Sequence, residues 1–523
     1  MNAKARQRIE IYDTTLRDGT QMEGVSLSLA DKLAITQKLD ELGVDYIEGG
    51  YPLSNAKDVA YFKEARRLDL KHSRICAFGM TRRKGYAAED DEGMQALFKS
   101  QAPVVTLVGK GWDFQVKEVI NAGLDENLQM IADSVKFLRK KRREVFFDIE
   151  HFFDGYKDNP SYAVEVLNAA AQAGASRVIL CDTNGGTLDT EVAGICQEVM
   201  NQTEAAIGIH THDDSGLGVA NALAAVRAGA VQVQGTMNGI GERVGNANLC
   251  TIIPNLVLKL GYACLQKDSL RKLTEVSRYV YDQANLMPPH SMPYVGVSSF
   301  AHKGGMHVHA IQKATRCYEH VAPESVGNTR KILISELSGA SNLLAKSEKL
   351  AVVKDKALVR KILKSVTDLE NDGYQFETAE GSFDLLVRKH LGHYKKFFEL
   401  DHYRTVNLVY EGREPITEAT VKLHVDGETV HCVAEGDGPV NALDAAMRQA
   451  LLPHYPALSE MQLIDYRVRV VNSREGTAAK VRVIIESRDA DHHWGTIGVS
   501  ENIIEASWMA LVDSFEYKLL LKE

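Results

Sequence analysis

Two histidines, His210 and His212, stand two residues apart in AAIGIHTHDD, at the end of a run with strand character. Alternate residues of a strand project to the same side, so these imidazoles face one way and suit a shared divalent cation. Asp18, in TTLRDGTQ, adds a carboxylate, and an Asp/His/His set serves magnesium, manganese or zinc equally well. The competing reading is three hydrogen-bonded polar residues in a wet cleft. Arg17 precedes Asp18; a guanidinium beside a metal can hold a carboxylate or a developing oxyanion, unless it is engaged in an ion pair with Asp18 or Glu150. Thr183 in DTNGG and Asn246 in GERVGN offer neutral hydrogen bonds, and each read alone is a turn residue. HKGGMHVH (302–309) places three histidines in a glycine-containing segment, which reads as a loop bending proton-transfer chemistry into a site, as a surface loop, or as a second metal site. GIGERVG follows neither the G-x-G-x-x-G nor the P-loop spacing, which sets nucleotide binding aside.

These residues need elements to bring them together. Short β-branched and aromatic runs occur at 9–13, 44–50, 74–79, 104–109, 144–150, 177–182, 205–210 and 231–235, with helical periods such as LADKLAITQKLDELG and NALAAVRAGA between them. Eight β/α units in this span predict an α/β fold, a (β/α)8 TIM barrel, over residues 1–270. A doubly wound open sheet is the rival. The polar clusters decide against it: RDG, EH with Glu150, DTNGG, HTHDD and NGIGERVGN all follow strand ends, which converge on one mouth only in a barrel. Closure also sets the first strand, with Asp18, near the last.

Residues 271–405 read as a helical connecting region carrying FAHKGGMHVHAI. From about 406 to 523, VKLHV, VHCVAE, YRVRVV and KVRVIIE alternate, followed by ALDAAMRQALL and IIEASWMALVDSF. Asn441-Ala-Leu-Asp-Ala recurs as Asn502-Ile-Ile-Glu-Ala, which predicts two strand-strand-helix repeats in an α+β domain. The formal net charge of −9 leaves no general attraction for nucleic acid or anionic membrane. Seven cysteines without a C-x-x-C pair, no apolar leader and no long apolar run predict a cytoplasmic protein without disulfides.

LRDGTQ (16–21), the stretch from IHTHDDSGLG to GERVGNANL (209–249) and APESVG (322–327) resemble the 2-isopropylmalate, homocitrate and citramalate synthases. Those enzymes join acetyl-CoA to a 2-oxo acid. GKGWDFQVKEV (109–119), EHFFDGYKDNP (150–160) and FAHKGGMHVHA (300–310) are most similar to the citramalate branch. The resemblance implies condensation of acetyl-CoA with pyruvate and thioester hydrolysis, in a homodimer feeding isoleucine biosynthesis. Carried over by motif, Asp18, His210 and His212, with Asn246 nearby, bind the cation. Arg17 stabilises the enolate or alkoxide, Thr183 holds the oxo-acid carboxylate, and Glu150 joins the catalytic set. His307 is implied as base and Tyr318 as the residue activating water. The last domain resembles an allosteric dimerisation module, with isoleucine as the expected inhibitor. Its turn at Gly436, Asp437 and Gly438, with Asn441, would offer N–H groups to the effector carboxylate, or else is an ordinary capped helix start. The rivals are 2-isopropylmalate synthase, a shorter lyase of the same barrel running the reverse cleavage, and a non-catalytic amino-acid sensor.

Overall fold

The computed structural model describes residues 7–266, 268–333, 356–412, 414–471 and 479–522. Residues 1–6 and the stretch 334–355 of the expected connecting region lie outside them. The chain divides into two compact units, one of 1–300 with 320–330, the other of 301–319 with 331–523.

In the first unit eight parallel strands close a barrel: β1 (Glu10–Asp13), β2 (Tyr46–Gly50), β3 (Arg74–Met80), β4 (Val104–Lys110), β5 (Glu144–Glu150), β6 (Arg177–Asp182), β7 (Ile207–Thr211) and β8 (Gln232–Gly235). Closure pairs Asp13 of β1 with Gly235 of β8. The strands read as nearly unbroken apolar runs because both faces are covered, by helices outside and by stacked side chains inside. The interior layer is built from Tyr12, Tyr46, Cys76, Val104, Phe146, Ile179 and Cys181. Local signals place the helices around it. Ser28 and Asp31 form a reciprocal capping box ahead of helix Leu29–Leu42, which ends at Gly43 with φ of 90°. Each expected strand coincides with an observed one.

The second unit carries two three-stranded antiparallel sheets, each followed by a helix. Phe398–Leu408, Ile416–Val425 and Glu428–Gly436 precede helix Pro439–Leu451; Gln462–Val470, Val481–Arg488 and His493–Ser500 precede helix Ile503–Leu520. The expected repeat of two strands and a helix is therefore corrected to three strands and a helix. Strand Phe398–Leu408 escaped the alternation test because it is an edge strand exposed along most of its length. His493–Ser500 escaped because two glycines interrupt a strand that is buried at nearly every position. A further correction concerns HKGGMHVH. After a short pairing of Ala301–His302 with Lys331–Ile332, the chain forms helix Gly305–Lys313 rather than a loop. Val308 and Ile311, three apart, form its buried face, and His307 and His309 are exposed. The seven cysteines are free.

Candidate active site

Strand β7 ends at the barrel mouth with His210 and His212 facing inward, their ring centroids 5.3 Å apart. Asp18 follows β1, and its Oδ2 lies 3.3 Å from His210 Nε2. One potential ligand atom from each of Asp18, His210 and His212 falls within 4.8 Å of the others, and all three residues are buried. Asn246 is brought beside them by a backbone bridge to His212, with Asp213 N–H donating to Gly245 O and Ala247 N–H to Thr211 O. Glycines make this close fit possible: a Cβ on Gly241 would come within 2.2 Å of Asn246 Nδ2.

The fit of these residues to a cation can be judged from their hydrogen bonds. Among the described residues, His212 Nδ1 and both amide atoms of Asn246 are buried with no hydrogen-bond partner. A buried polar atom left unpaired costs about 1–3 kcal/mol, so three together mark a place where polar capacity awaits a ligand. Burial and then its neighbour His210 push His212 down to about 4, leaving it neutral and fit to ligate. Burial opposes charge on His210, but its hydrogen bond to Asp18 prevails and raises its value above the usual range. Burial raises the Asp18 carboxyl, yet Arg17 and His210 outweigh it and hold the group well below ordinary carboxylates. An ionised oxygen donor beside two imidazoles is the donor chemistry a divalent ion requires.

Arg17 does pair with Asp18, at 3.6 Å, but its main partner is one the sequence reading missed. Its Nε donates to Glu48 Oε2 at 2.5 Å, and the guanidinium lies 3.8 Å from the centroid of the Phe78 ring. Glu48, fully buried on β2, also accepts from the Tyr12 and Thr14 hydroxyls. Three donors fix this carboxylate, and the carboxylate fixes the plane of the guanidinium. Glu150 is not the partner of Arg17, since it pairs with Lys110 at the end of β4. Thr183 Oγ1 accepts from the His151 N–H at 2.8 Å, so its own hydroxyl hydrogen can serve a ligand. Arg243 clamps the rim, donating to Asp214 and to the Thr183 carbonyl at 2.7–2.8 Å.

Behind His210 sit two other residues that the sequence reading passed over. Gln234 on β8 and Asp148 on β5 are buried, with Gln234 Nε2 3.1 Å from Asp148 Oδ1. Their signal was polarity at inward-facing positions of strands, as in VQVQG. A cavity of about 600 Å³ is lined by Met80, Ile120 and Met130 together with the pairs Arg83–Asp91 and Lys110–Glu150.

His307 and Tyr318 belong to the second unit, where their rings stack at 4.1 Å between centroids and 25° between planes. His302, the first histidine of the same motif, is buried, with Nε2 3.3 Å from Glu319 Oε1. In the turn after strand Glu428–Gly436, Asp437 N–H donates to Asn441 Oδ1 at 3.1 Å, while Asn502 Oδ1 accepts from Ile504 N–H at 2.9 Å. A Cβ on Gly436 would lie 2.5 Å from Ala442 N, so only glycine permits that approach of strand to helix.

Residues 8–280 match the HMGL-like family, 294–373 the homocitrate synthase post-HMGL domain-like family and 377–519 the LeuA allosteric (dimerisation) domain. An (R)-citramalate synthase of Aquifex aeolicus is 50% identical over 523 residues, covering 99% of each chain. One from Geobacter sulfurreducens is 51% identical over 514 residues, covering 98% of this chain and 97% of its own. A 2-isopropylmalate synthase of Methanocaldococcus jannaschii is 29% identical over 527 residues, covering 100% of this chain and 96% of its own. With a closed eight-stranded barrel, a buried Asp/His/His set and full-length similarity of this order, the chain belongs to the (R)-citramalate synthase family, on an HMGL-like barrel followed by a LeuA-type domain.

Proposed function

We propose that the chain condenses acetyl-CoA with pyruvate and water to give citramalate and CoA, in isoleucine biosynthesis, as a cytoplasmic homodimer. The observation that carries this reading is the group of unpartnered buried atoms on His212 and Asn246 next to Asp18, His210 and an immobilised Arg17. Asp18, His210 and His212, with Asn246 beside them, would hold magnesium, manganese or zinc, which when bound supplies a Lewis acid for the 2-oxo acid.

The acetyl methyl proton is weakly acidic, so a base and a sink for the developing negative charge must act together. Arg17 is the sink. Glu48 holds its Nε, leaving the other N–H groups of a fixed, always charged plane for the oxygen that gains charge as the methyl carbon bonds to the keto carbon. Thr183 donates its free hydroxyl hydrogen to the pyruvate carboxylate and so orients the carbon under attack. Glu150, held by Lys110, completes the polar wall. The adjoining cavity, largely apolar, with Arg83 and Lys110 paired to Asp91 and Glu150 in its lining, offers surface for the thioester arm of acetyl-CoA. Water then adds to the thioester carbonyl and the CoA thiolate leaves. For His307 as base and Tyr318 as the group orienting that water, the support is the family motif and the stacking of the two rings.

Regulation is assigned to the C-terminal domain, with isoleucine held at the turn of Gly436, Asp437, Gly438 and Asn441 ahead of helix Pro439–Leu451. The alternative activity, 2-isopropylmalate synthesis, differs by methyl against isopropyl on the oxo acid, a difference worth about 1–3 kcal/mol per methylene in a pocket. Initial rates of CoA release with pyruvate, 2-oxobutyrate and 2-oxoisovalerate decide it. Pyruvate is expected to be fastest; preference for 2-oxoisovalerate, or no release with any of the three, overturns the assignment.

A further inference from the structure

We propose that Gln234 and Asp148 form a buried relay that sets which nitrogen of His210 is presented to a cation, making Gln234 a positioning residue for the metal. The proposal rests on the reading of Asp18, His210 and His212 as a cation site.

His210 and Gln234 are register partners on β7 and β8, so their side chains enter the barrel side by side. His210 Nδ1 lies 2.9 Å from Gln234 Oε1, and Gln234 Nε2 lies 3.1 Å from Asp148 Oδ1. All three residues are buried. A carboxylate only accepts, so Asp148 turns the amide NH2 of Gln234 toward itself. The amide oxygen must then face His210, and an amide oxygen also only accepts. Gln234 therefore keeps a hydrogen on Nδ1. The other ring nitrogen, Nε2, whose hydrogen Asp18 Oδ2 accepts across 3.3 Å in the metal-free chain, is the one left to exchange that hydrogen for a cation. Orientation thus passes from a carboxylate on β5, through a neutral amide on β8, to a ligand on β7.

The amide in the middle has a physical reason. A carboxylate at position 234 would also accept from Nδ1, but it would set a second negative group against Asp148 in a buried layer that already holds Glu48. Glutamine transmits the direction of the hydrogen bond without adding charge. His212 is different: its Nδ1 has no such partner, so a single ligand histidine is locked in advance.

The test uses the full chain, stripped by chelator and dialysed at pH 8. Mn2+ alone is titrated in, free ion is followed by electron paramagnetic resonance, and the His210 tautomer is read from 15N–1H spectra of the metal-free protein. Wild type is expected to show the hydrogen on Nδ1. Gln234→Leu should lose that preference and weaken Mn2+ binding roughly 10–100-fold, the range for partners behind a ligand histidine. Gln234→Glu, which keeps the acceptor but opposes Asp148, should keep the Nδ1 hydrogen and bind Mn2+ more tightly than Gln234→Leu. Asp148→Asn lets the glutamine amide reverse and should remove the Nδ1 hydrogen, leaving only the one that Asp18 accepts from Nε2, with roughly tenfold weaker binding. If Gln234→Leu and Asp148→Asn fold and bind Mn2+ as tightly as wild type with an unchanged tautomer, the relay is overturned. If the wild-type chain takes up no Mn2+, the cation reading itself is overturned.

Discussion

Two turns of this molecule use nearly the same residues and do different things with them. GIGERVGN follows the last barrel strand, and GDGPVN follows the third strand of the first C-terminal sheet. Both combine glycines with a terminal asparagine. In the second, Asn441 accepts from the Asp437 N–H, and its counterpart Asn502 accepts from Ile504, so each amide oxygen satisfies its own chain. In the first, neither amide atom of buried Asn246 has a partner. Residue type alone therefore does not separate a ligand site from a capped helix start. The separation lies in whether hydrogen-bonding capacity is already satisfied by the backbone or is left over in a buried place.

The comparison breaks most decisively at His212. On the proposed reading His212 is a ligand, and among the described residues its Nδ1 has no hydrogen-bond partner, so in His212→Ala CoA release should fall at least ~10³-fold while the melting temperature stays within a few degrees. Metal-free and metal-loaded samples of the variant should then be equally inactive. Retained turnover in this variant would mean that the unpaired atoms are not a ligand site.

Arg17 sharpens it next. Lysine keeps the charge but not the planar fork that bonds Glu48 while lying over Phe78, so Arg17→Lys should lower kcat about 10²-fold, the scale of losing one preorganised oxyanion donor. KM for acetyl-CoA should move much less. A loss confined to KM would place Arg17 in ground-state binding.

How much of this was legible beforehand follows the same division. The eight barrel strands could be read because burial on both faces makes them continuous apolar runs, and the cluster of Asp18, His210 and His212 because RDG and HTH stand at strand ends. Glu48, Asp148 and Gln234 were missed because a polar residue inside an apolar run looks like noise until closure brings β2, β5, β7 and β8 around one axis. Strand Phe398–Leu408 was missed for the opposite reason, since an exposed edge has no buried face to impose alternation. Helix Gly305–Lys313 was hidden by its own glycines, and Val308 with Ile311 was the signal available. Chemistry concentrated at strand ends is therefore visible in sequence, while the residues that hold it in place from within the barrel are visible only in three dimensions.

The C-terminal unit also buries an ionisable group, but one whose hydrogen bonds are made. Glu516 accepts from the Tyr394 hydroxyl at 2.6–2.7 Å, and burial raises it from 4.5 to about 6. Because the folded value is the higher one, its stabilising contribution is full below pH 4.5 and lost as pH rises through 6, about 2 kcal/mol across that window. Glu516→Gln should flatten this part of the stability profile, measured as urea midpoints at pH 4.5, 5.5 and 6.5. An unchanged slope would show that Glu516 does not ionise in the folded unit over that range.

The smallest effect concerns the turn on which the comparison began. Asn441, in the first turn of helix Pro439–Leu451, accepts from the Asp437 N–H, and losing one such hydrogen bond costs about 1 kcal/mol. Asn441→Ala should lower stability by that amount and leave kcat and KM unchanged in the absence of effector, since the residue belongs to the LeuA-type domain at 377–519. If the turn also binds isoleucine, the same substitution should raise the isoleucine concentration for half inhibition about fivefold or more, the lower end of ordinary allosteric coupling. Inhibition curves with isoleucine, leucine and valine, run on wild type and variant at equal folded concentration, separate the two roles. A variant that loses stability but keeps the wild-type isoleucine curve would give Asn441 a structural role only and move the effector to another surface of the domain. A shifted curve gives this glycine-and-asparagine turn the role proposed for the Asn246 segment at the barrel mouth.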